Sequence, residues 1–301
     1  MSLENHSGIE LTRNSKGHAV MDCSVCGFAH LWPKPSADEL AEYYAKAFYE
    51  THSPKDWVEK EEAEQPYWQL EYADRLAACS EILQMPTGRL LDIGCGGGWF
   101  LAWAKARGWD VLGIEPSRSM WERAATRAPV LLGTFPGEDI SAKAPFDVVH
   151  VKLVLEHVSN PLEVLEEVSK VLRPGGVVIV QVPNEFNPAQ LAAQKLLGKD
   201  SWWVVHPVHV NYFNFESLER TLLRSGYEPR IREASFPMEW FLLQGIDYIG
   251  RDDIGRQCHG QVMALEKNLE ASKLTHIRRG FSRWLASQGI GRQAIVYAVK
   301  C

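Results

Sequence analysis

Short apolar runs alternate with helical segments through the middle of the chain. The run GRLLDIG (88–94) ends in glycine, and the next segment, WFLAWAKARG (99–108), has apolar residues at helical spacing before a glycine stop. The alternation continues with predicted strands at 110–116, 130–133, 146–152, 177–184, 230–234 and 293–300, and with predicted helices at 117–128, 161–176 and 216–229. Strands and helices in this rhythm predict βαβ units around a buried parallel sheet, and so an α/β fold.

The places where this rhythm starts and stops predict three regions. These are a segment with two cysteines (1–35), a helical lid (36–85) and a Rossmann-like domain (86–301). Within the lid, helical patterns cover 38–50 and 66–83, and we expect them to lie over the top of the sheet. Within the third region, 185–215 and 236–290 do not follow the βαβ rhythm. We expect these two stretches to be insertions on the substrate side.

Composition and charge narrow the class of protein. Of 301 residues, 46% are hydrophobic and 23% charged, which excludes a disordered, collagen-like or coiled-coil protein. The 32 Lys and Arg against 38 Asp and Glu give a net charge of −6, which argues against a protein that binds nucleic-acid phosphates. No apolar run approaches the roughly 20 residues that span a bilayer, and the first residues lack a signal peptide. Six cysteines without such a signal indicate reduced thiols or metal ligands, so we expect a soluble cytoplasmic protein.

The strongest single signal is the glycine-rich stretch LLDIGCGGGWF (90–100), which follows a predicted strand and opens a helix. Glycines let a ligand approach the backbone, and the start of the helix offers free N–H groups. The dinucleotide fingerprint requires a small residue at position 99, where this chain has Trp99. Asp92 would also repel a pyrophosphate, whereas it would attract an amino group.

A second acidic residue, Glu115, ends the next predicted strand about twenty residues further on, where a carboxylate can bind both hydroxyls of a ribose. Together, Asp92, the glycine spacing and Glu115 resemble class I S-adenosylmethionine (SAM)-dependent methyltransferases. The string at 146–184 is similar to the fourth strand, helix and fifth strand of that family, especially its ubiquinone-type O-methyltransferases and natural-product sugar methyltransferases. The resemblance covers about 88–184 and extends more loosely to 229. It implies a doubly wound, mostly parallel sheet whose seventh strand is antiparallel.

The resemblance also implies which residues bind the cofactor. In these enzymes the first loop holds the methionine part of SAM, the acidic residue after the second strand binds ribose, and the loop after the third strand holds adenine. The fourth strand then ends beneath the sulfonium. The positions implied in this chain are Asp92, Gly94, Gly96, Gly98, Glu115, Pro116, Met120, Thr134, Phe135, Lys152, Leu153 and Val154.

Two of these positions differ from the usual pattern of the family. Many relatives place an acidic residue against the adenine amino group, whereas this chain has Thr134 and Phe135 at the contact. Either Phe135 stacks on the ring or Glu138 reaches it. The ammonium of Lys152 would repel the sulfonium if it were aimed at it, so we expect it to point away.

Methyl transfer is an in-line displacement in which most of the rate comes from alignment in a closed, dry site. A hydroxyl acceptor also benefits from a base that removes its proton. The favoured candidate is His209, in the aromatic-rich segment HPVHVNYF (206–213), followed by His157 in LEHVSNP (155–161). Both histidines have an alternative interpretation, in which they orient a loop by hydrogen bonds to the backbone.

The two cysteines Cys23 and Cys26, in CSVCG, have the spacing of a zinc knuckle, with a glycine after the second cysteine. The stretch 23–44 resembles the second knuckle of a zinc ribbon that precedes the methyltransferase fold in many sugar and natural-product enzymes. Those relatives have another cysteine pair upstream, which is missing here. The remaining ligands would then come from His6, His18 or His30. Otherwise the site has decayed and binds nothing, or the sequence begins inside it.

The sequence therefore predicts methyl transfer from SAM to a small-molecule acceptor, with S-adenosylhomocysteine (SAH) as product and oxygen as the favoured acceptor atom. N- or C-methylation of a sugar or natural-product intermediate stays open, as does a cofactor-binding protein that has lost transfer. A nucleic-acid or protein methyltransferase is disfavoured by the acidic net charge. The residues after the fourth strand, KLVLEH (152–157), also lack the aromatic-proline signature that relatives use on extruded bases. The sequence names neither the acceptor nor the oligomeric state.

Overall fold

The structure, a computed structural model, describes residues 6–36, 39–40 and 54–301, so most of the predicted helix at 38–50 lies outside it. The described strands are β1 (Gly8–Arg13), β2 (Ala19–Cys23), β3 (Ala29–Trp32), β4 (Arg89–Ile93), β5 (Asp110–Glu115), β6 (Val130–Leu132), β7 (Phe146–Lys152), β8 (Leu172–Pro183), β9 (Asn211–Tyr212), β10 (Tyr227–Ala234) and β11 (Gln293–Lys300). The described helices are α1 (Pro54–Ala63), α2 (Gln65–Leu83), α3 (Trp99–Lys105), α4 (Arg118–Ala124), α5 (Glu138–Ser141), α6 (Pro161–Val171), α7 (Pro188–Leu197), α8 (Phe215–Arg224), α9 (Glu239–Leu243), α10 (Asp252–Ala271) and α11 (Thr275–Ser287). None of these helices is both long and apolar enough to cross a membrane.

The larger sheet has seven strands in the order β10-β11-β8-β7-β4-β5-β6. The five strands from β8 to β6 are mutually parallel, and β11 runs antiparallel to both of its neighbours. This arrangement confirms the predicted Rossmann-like fold with its antiparallel last strand. The chain begins the sheet at β4 and adds strands on both sides, so the strand order reverses between β4 and β7. In open α/β sheets, ligands bind in a crevice outside the carboxyl ends of the strands at such a point.

Helices cover both faces of this sheet, which is why its central strands are apolar along their length. On one face, Leu76 of α2 and Leu101 of α3 belong to the same buried cluster as Leu90 of β4. On the other face, Val168 of α6 and Leu218 of α8 pack in a second cluster with further strand residues. The sheet is therefore packed against helices on both faces, which fixes the positions of its strand ends.

Several elements end at different residues from those predicted, because backbone chemistry rather than apolar periodicity sets the ends. The helix predicted over 161–176 ends at Val171, and β8 takes in the Pro-Gly-Gly stretch, with a register shift against β7. The sixth strand of the sheet begins at Tyr227, directly after Gly226, whose φ of +80° ends the preceding turn. The predicted insertion at 236–290 forms three helices, α9, α10 and α11.

A second, four-stranded sheet joins the N-terminal strands to the predicted substrate-side insertion at 185–215. Its order is β1-β2-β3-β9, and each pair of neighbours is antiparallel. Strand β9 contributes only Asn211 and Tyr212, which pair with His30 and Ala29 of β3. Local periodicity could not predict this pairing, because the partners lie far apart in the chain.

Candidate cofactor and acceptor site

The glycine loop between β4 and α3 has a backbone that glycine adopts far more readily than other residues. Gly94, Gly96 and Gly98 have φ angles of +70°, +53° and +77°. A Cβ at Gly98 would lie 2.9 Å from the Cα of Ala124, and a Cβ at Gly94 would lie 3.1 Å from Cγ2 of Val154. The loop therefore packs closely against α4 and against the turn that follows β7.

Asp92 is buried near the end of β4, directly before this loop. His150 of β7 is its register partner, and the His150 Nδ1 lies 2.8 Å from Asp92 Oδ1. The ring of Phe100 flanks the imidazole, with the centroids 4.6 Å apart. This contact fixes one carboxylate oxygen of Asp92. As a histidine inside an apolar strand, His150 carried no functional signal in the sequence.

Glu115 connects the end of β5 to the glycine loop. Its Oε2 accepts a hydrogen bond from the Gly96 N–H at 2.9 Å, and its Oε1 accepts one from the Ser117 N–H, also at 2.9 Å. Burial raises the pKa of this carboxyl, while the two N–H donors counteract that rise. A carboxylate offers about four acceptor positions, so these two bonds leave room for two hydroxyl donors.

The remaining predicted cofactor positions differ in burial and in how closely they approach the glycine loop. The Cε of Met120 comes within 3.9 Å of a Cβ placed at Gly96, so this side chain lies beside the loop. Phe135 is partly buried and packs against the core, whereas Thr134 is exposed. Pro116 directly follows Glu115 at the end of β5.

The chain turns sharply where β7 ends. Leu153 has a φ of +54°, and the Val154 side chain lies over the glycine loop. The ammonium of Lys152 lies 3.9 Å from Oε2 of Glu71 and 4.6 Å from the ring centroid of Trp68, both on the lid helix α2. The Lys152 ammonium therefore contacts helix α2 through an ion pair and a cation–π interaction.

His157 and His209 lie together beside the end of β7, with their ring centroids 5.2 Å apart in an edge-on arrangement. The His157 Nδ1 donates to the carbonyl oxygen of Val208 at 2.9 Å, which fixes the tautomer of that ring. Burial lowers the pKa of both histidines, and that of His209 falls to about 4 with the additional effect of the His157 and Arg292 charges. Both imidazoles are therefore neutral near pH 7, and a pKa near 4 makes His209 a weak proton acceptor.

Residues 65–230 match a family model described as a methyltransferase domain, which is more than half of the chain. This chain belongs to the SAM-dependent methyltransferases. A ubiquinone biosynthesis O-methyltransferase from Caulobacter sp. (strain K31) is 40% identical over 103 residues, covering 32% of this chain and 41% of that protein. One from Rhizobium etli (strain CIAT 652) is 31% identical over 175 residues, covering 53% of this chain and 69% of that protein. The chain thus matches about two fifths of the Caulobacter relative's length.

Solved structures share the fold of this methyltransferase. The plantazolicin methyltransferase BpumL in complex with SAH has a TM-score of 0.51 and 16% sequence identity, and the comparison covers 87% of this chain and 93% of that one. At this level of identity the likeness shows the architecture alone.

The lid contributes a residue that sequence analysis missed. Glu61 of α1 has its Oε2 3.4 Å from the position that a Cβ at Gly97 would occupy, so its carboxylate adjoins the glycine loop of the methyltransferase. The Arg127 guanidinium stacks over Trp99 at 3.9 Å and donates to the Gly97 carbonyl at 3.4 Å. Burial raises the pKa of Glu61, and the positive charges of Lys152 and Arg127 counteract the rise. An acidic residue on a charged helix gives no sequence signal of such a contact.

Two further buried carboxyl groups lie near the histidine pair and were also missed. Burial raises the pKa of Glu156 to about 8 and that of Glu185 to about 7. Glu185 accepts a hydrogen bond from Nε2 of Gln190 at 2.8 Å, whereas Oε2 of Glu156 has no hydrogen-bond partner among the described residues. The surroundings of the histidine pair therefore hold carboxyl groups whose pKa values lie near physiological pH.

The cysteine pair forms a compact cluster with two histidines, His6 and His30. Its four ligand atoms all lie within 4.8 Å of one another. The His6 Nδ1 lies 3.5 Å from the sulfur of Cys23, 3.4 Å from that of Cys26 and 3.1 Å from the His30 Nε2. By contrast His18, the other suggested ligand, stacks on His206.

These separations fit a tetrahedral ion of the size of zinc. With Zn–S near 2.3 Å and Zn–N near 2.0–2.1 Å, tetrahedral geometry separates nitrogen from sulfur by roughly 3.5 Å and two nitrogens by roughly 3.3 Å. The His30 Nδ1 donates to the Leu31 carbonyl at 2.7 Å, which leaves the lone pair of Nε2 for the cluster. The Cys26 N–H donates to the sulfur of Cys23 at 3.4 Å. This Cys/His cluster could hold a metal.

Proposed function

We propose that this chain transfers a methyl group from SAM to an oxygen atom of a small-molecule acceptor. The observation that carries the proposal is the pair of buried carboxylates, Asp92 and Glu115, on either side of a glycine loop whose backbone admits a ligand. The O-methyltransferase relatives support oxygen as the acceptor atom.

On this proposal, Asp92 attracts the methionine ammonium of SAM, and the two remaining acceptor positions of Glu115 bind the ribose hydroxyls. Pro116 and Met120 pack beside the sugar and base, and Phe135 contacts the adenine, with Thr134 beside it. The backbone of Lys152, Leu153 and Val154 would line the cofactor on its sulfonium side. Glycines at 94, 96 and 98 let the methionine part approach the loop.

Bound SAM would supply a methyl group activated on sulfur. The protein would align the acceptor hydroxyl with that group, exclude water and remove the hydroxyl proton. We assign proton removal to His209, whose ring nitrogen Nδ1 is buried and has no hydrogen-bond partner among the described residues. His157 is the second candidate; its Nδ1 donates to the Val208 carbonyl, and its Nε2 lies 3.8 Å from Oε1 of Glu156.

A two-stage experiment tests this function. Calorimetric titration with SAH should give saturable binding at one site per chain, and NAD should not compete. Incubation with SAM and a panel of phenols, sugars, amines and carbon acids, followed by mass spectrometry, should then give an O-methylated product. Binding of NAD in place of SAH would contradict the cofactor assignment. A product methylated only on nitrogen or carbon would contradict the acceptor atom, and binding without any product would favour a protein that has lost transfer.

Replacing His209 with alanine should lower turnover by roughly 100-fold, the lower range for the loss of a general base. Binding of SAH should change less than twofold, because the ring lies on the acceptor side. Initial rates and calorimetry measure the two effects. The control is His206→Ala, an exposed histidine of the same segment, which should keep turnover within about threefold of the unmodified protein. Equal losses of binding and turnover in His209→Ala would remove the assignment.

For the Cys/His cluster we propose a structural zinc ion with His6, Cys23, Cys26 and His30 as ligands. Four ligands would complete a closed tetrahedral shell, which is typical of structural rather than catalytic zinc. Elemental analysis of the untagged protein should find about one zinc per chain. Cys26→Ser should lower that content strongly, whereas Cys301→Ser, which changes an exposed cysteine outside the cluster, should not. A zinc content near zero in the unmodified protein would refute the site.

A further inference from the structure

We propose that the metal bound by the Cys/His cluster holds in place the segment that carries the candidate base, so that metal loss loosens the acceptor side of the crevice and leaves the cofactor side unchanged. This inference rests on the proposed zinc site and extends it from a ligand set to a role. It assigns the N-terminal sheet a part in positioning the acceptor half of the enzyme.

The first link runs from a metal ligand to the candidate base segment. His30 lies on β3 and pairs with Asn211 of β9. The N–H of Leu31 donates to the carbonyl of Val210 at 2.9 Å. Val210 and Asn211 directly follow His209 in the chain. The strand that carries one metal ligand therefore sets the backbone position next to the base.

The second link runs from β9 to the loop after β7. The carbonyl of Glu156 accepts hydrogen bonds from the N–H groups of Val210 and Asn211, at 2.7 Å and 3.1 Å. The Asn211 side chain donates to the carbonyls of Leu155 at 2.8 Å and Val158 at 2.7 Å. Asn211 is 1% exposed, so water cannot easily replace these bonds. The loop that carries His157 is thus hydrogen-bonded to β9 and to the residue before it.

The cysteine turn is attached to the core from another direction. Arg220 of α8 donates from Nε to the Gly27 carbonyl at 3.0 Å, and Arg224 of the same helix donates to the carbonyls of Val25 and Cys26. Helix α8 thus holds the cysteine turn, and β9 pairs with β3, which follows that turn. A metal would join the cysteine turn to β3. It would thereby fix β3 against β9.

The strands of the N-terminal sheet are short, with six, five and four residues in β1, β2 and β3. A metal that joins them would add to the apolar packing that already holds this sheet. His30 is fully buried and Cys23 is 1% exposed. Without an ion, the ligand atoms of the cluster would face one another in a buried site with no metal to join them, and local opening of the sheet would become easier.

The cofactor side is built without these strands. Glu115, Gly96 and Ser117 are joined by hydrogen bonds among β5, the glycine loop and the start of α4. Asp92 is held by His150 within the large sheet. The inference therefore predicts a selective effect rather than a general loss of stability.

Hydrogen–deuterium exchange of the full chain, zinc-loaded and after treatment with a chelator, tests the proposal. Metal removal should speed amide exchange at least tenfold, about 1.4 kcal/mol of local stability, in peptides covering 155–158 and 208–213. Peptides covering 90–98 and 111–117 should be unchanged, and SAH affinity should stay within twofold. Adding zinc back should restore protection, which separates local opening from irreversible unfolding.

A variant of Asn211 tests whether the effect of the metal reaches the loop at 155–158 through β9. Asn211→Ala should keep about one zinc per chain yet speed exchange at 155–158, because it removes the two side-chain bonds to that loop. Unchanged exchange at 208–213 after zinc loss would overturn the proposal, and so would faster exchange spread over all peptides. A chain that never binds zinc would refute the metal site and this inference together. Failure to bind SAH would instead count against the proposed methyl transfer. The exchange experiment would still test the role of the metal, because it does not depend on cofactor binding.

Discussion

Replacing Asp92 with asparagine is expected to weaken SAH binding at least 30-fold, about 2 kcal/mol, the lower end for breaking a buried hydrogen-bonded charge pair. The carboxylate is 4% exposed, so its attraction for the methionine ammonium is little screened by water. Asparagine has nearly the same shape and keeps an oxygen that can accept from His150. The substitution therefore removes the charge with little change in packing, and calorimetric titration with SAH measures the result.

The matched control is Asp110→Asn, at the start of the neighbouring strand β5. This carboxylate is exposed and pairs with Arg89 at the surface, so SAH affinity should stay within twofold. Unchanged far-UV circular dichroism of both variants would show that the fold survives. If Asp92→Asn bound SAH as tightly as the unmodified chain, the ammonium would have another partner, and Glu61 beside the glycine loop would be the residue to replace next.

The placement of Asp92 and Glu115 beside the glycine loop was predictable because all three are carried by local pattern. A strand end, a glycine turn and the next strand end stand in fixed order along the chain, and parallel strands bring those ends together. Asp92 and Glu115 accordingly lie on adjacent strands on either side of the glycine loop. Their roles toward SAM remain proposals, which the Asp92 substitution addresses.

The contacts that were missed join elements whose pairing depends on register or on lid packing. His150 meets Asp92 only because β7 and β4 pair in one register, and a one-residue shift would separate them. Glu61 reaches the glycine loop from a helix with no distinctive pattern. His30 was one of three histidines suggested for the metal, and only the pairing of β2 with β3 brings it beside the cysteine turn. A single sequence does not encode such register in local periodicity.

A buried ionic network, likewise invisible in the sequence, fastens the lid to the sheet. Arg75 of α2 is 5% exposed and donates to Oε1 of Gln181 at 3.1 Å and to the hydroxyl of Tyr297 at 3.3 Å. Its Nη1 also lies 3.5 Å from Oε2 of Glu233, which accepts a further bond from that tyrosine hydroxyl at 2.7 Å. Helix α2 carries both this arginine and the Glu71 that engages Lys152. The network therefore determines where the lid lies above the end of β7.

Replacing Arg75 with methionine should lower the free energy of unfolding by about 3 kcal/mol or more, because removal of one partner leaves buried polar groups without compensation. Glu233 would keep ion pairs to Arg279 and Arg283, so we expect the lower end of the usual range of about 3–5 kcal/mol. Denaturant unfolding followed by circular dichroism measures the loss. The exposed pair of Arg230 and Glu228 supplies the control, since Arg230→Met should cost less than about 1 kcal/mol.

The double variant Arg75→Met with Glu233→Gln decides whether the cost comes from uncompensated charge or from lost packing. If the buried carboxylate is the cause, removing its charge should recover part of the stability, and the two substitutions will be less than additive. Additive losses would instead mean that the arginine stem and its bonds to Gln181 and Tyr297 carry the effect. A single Arg75→Met variant as stable as the unmodified protein would mean that the lid is held by its other contacts, among them the apolar packing of Tyr72 and Leu76 and the ion pair of Asp74 with Arg278.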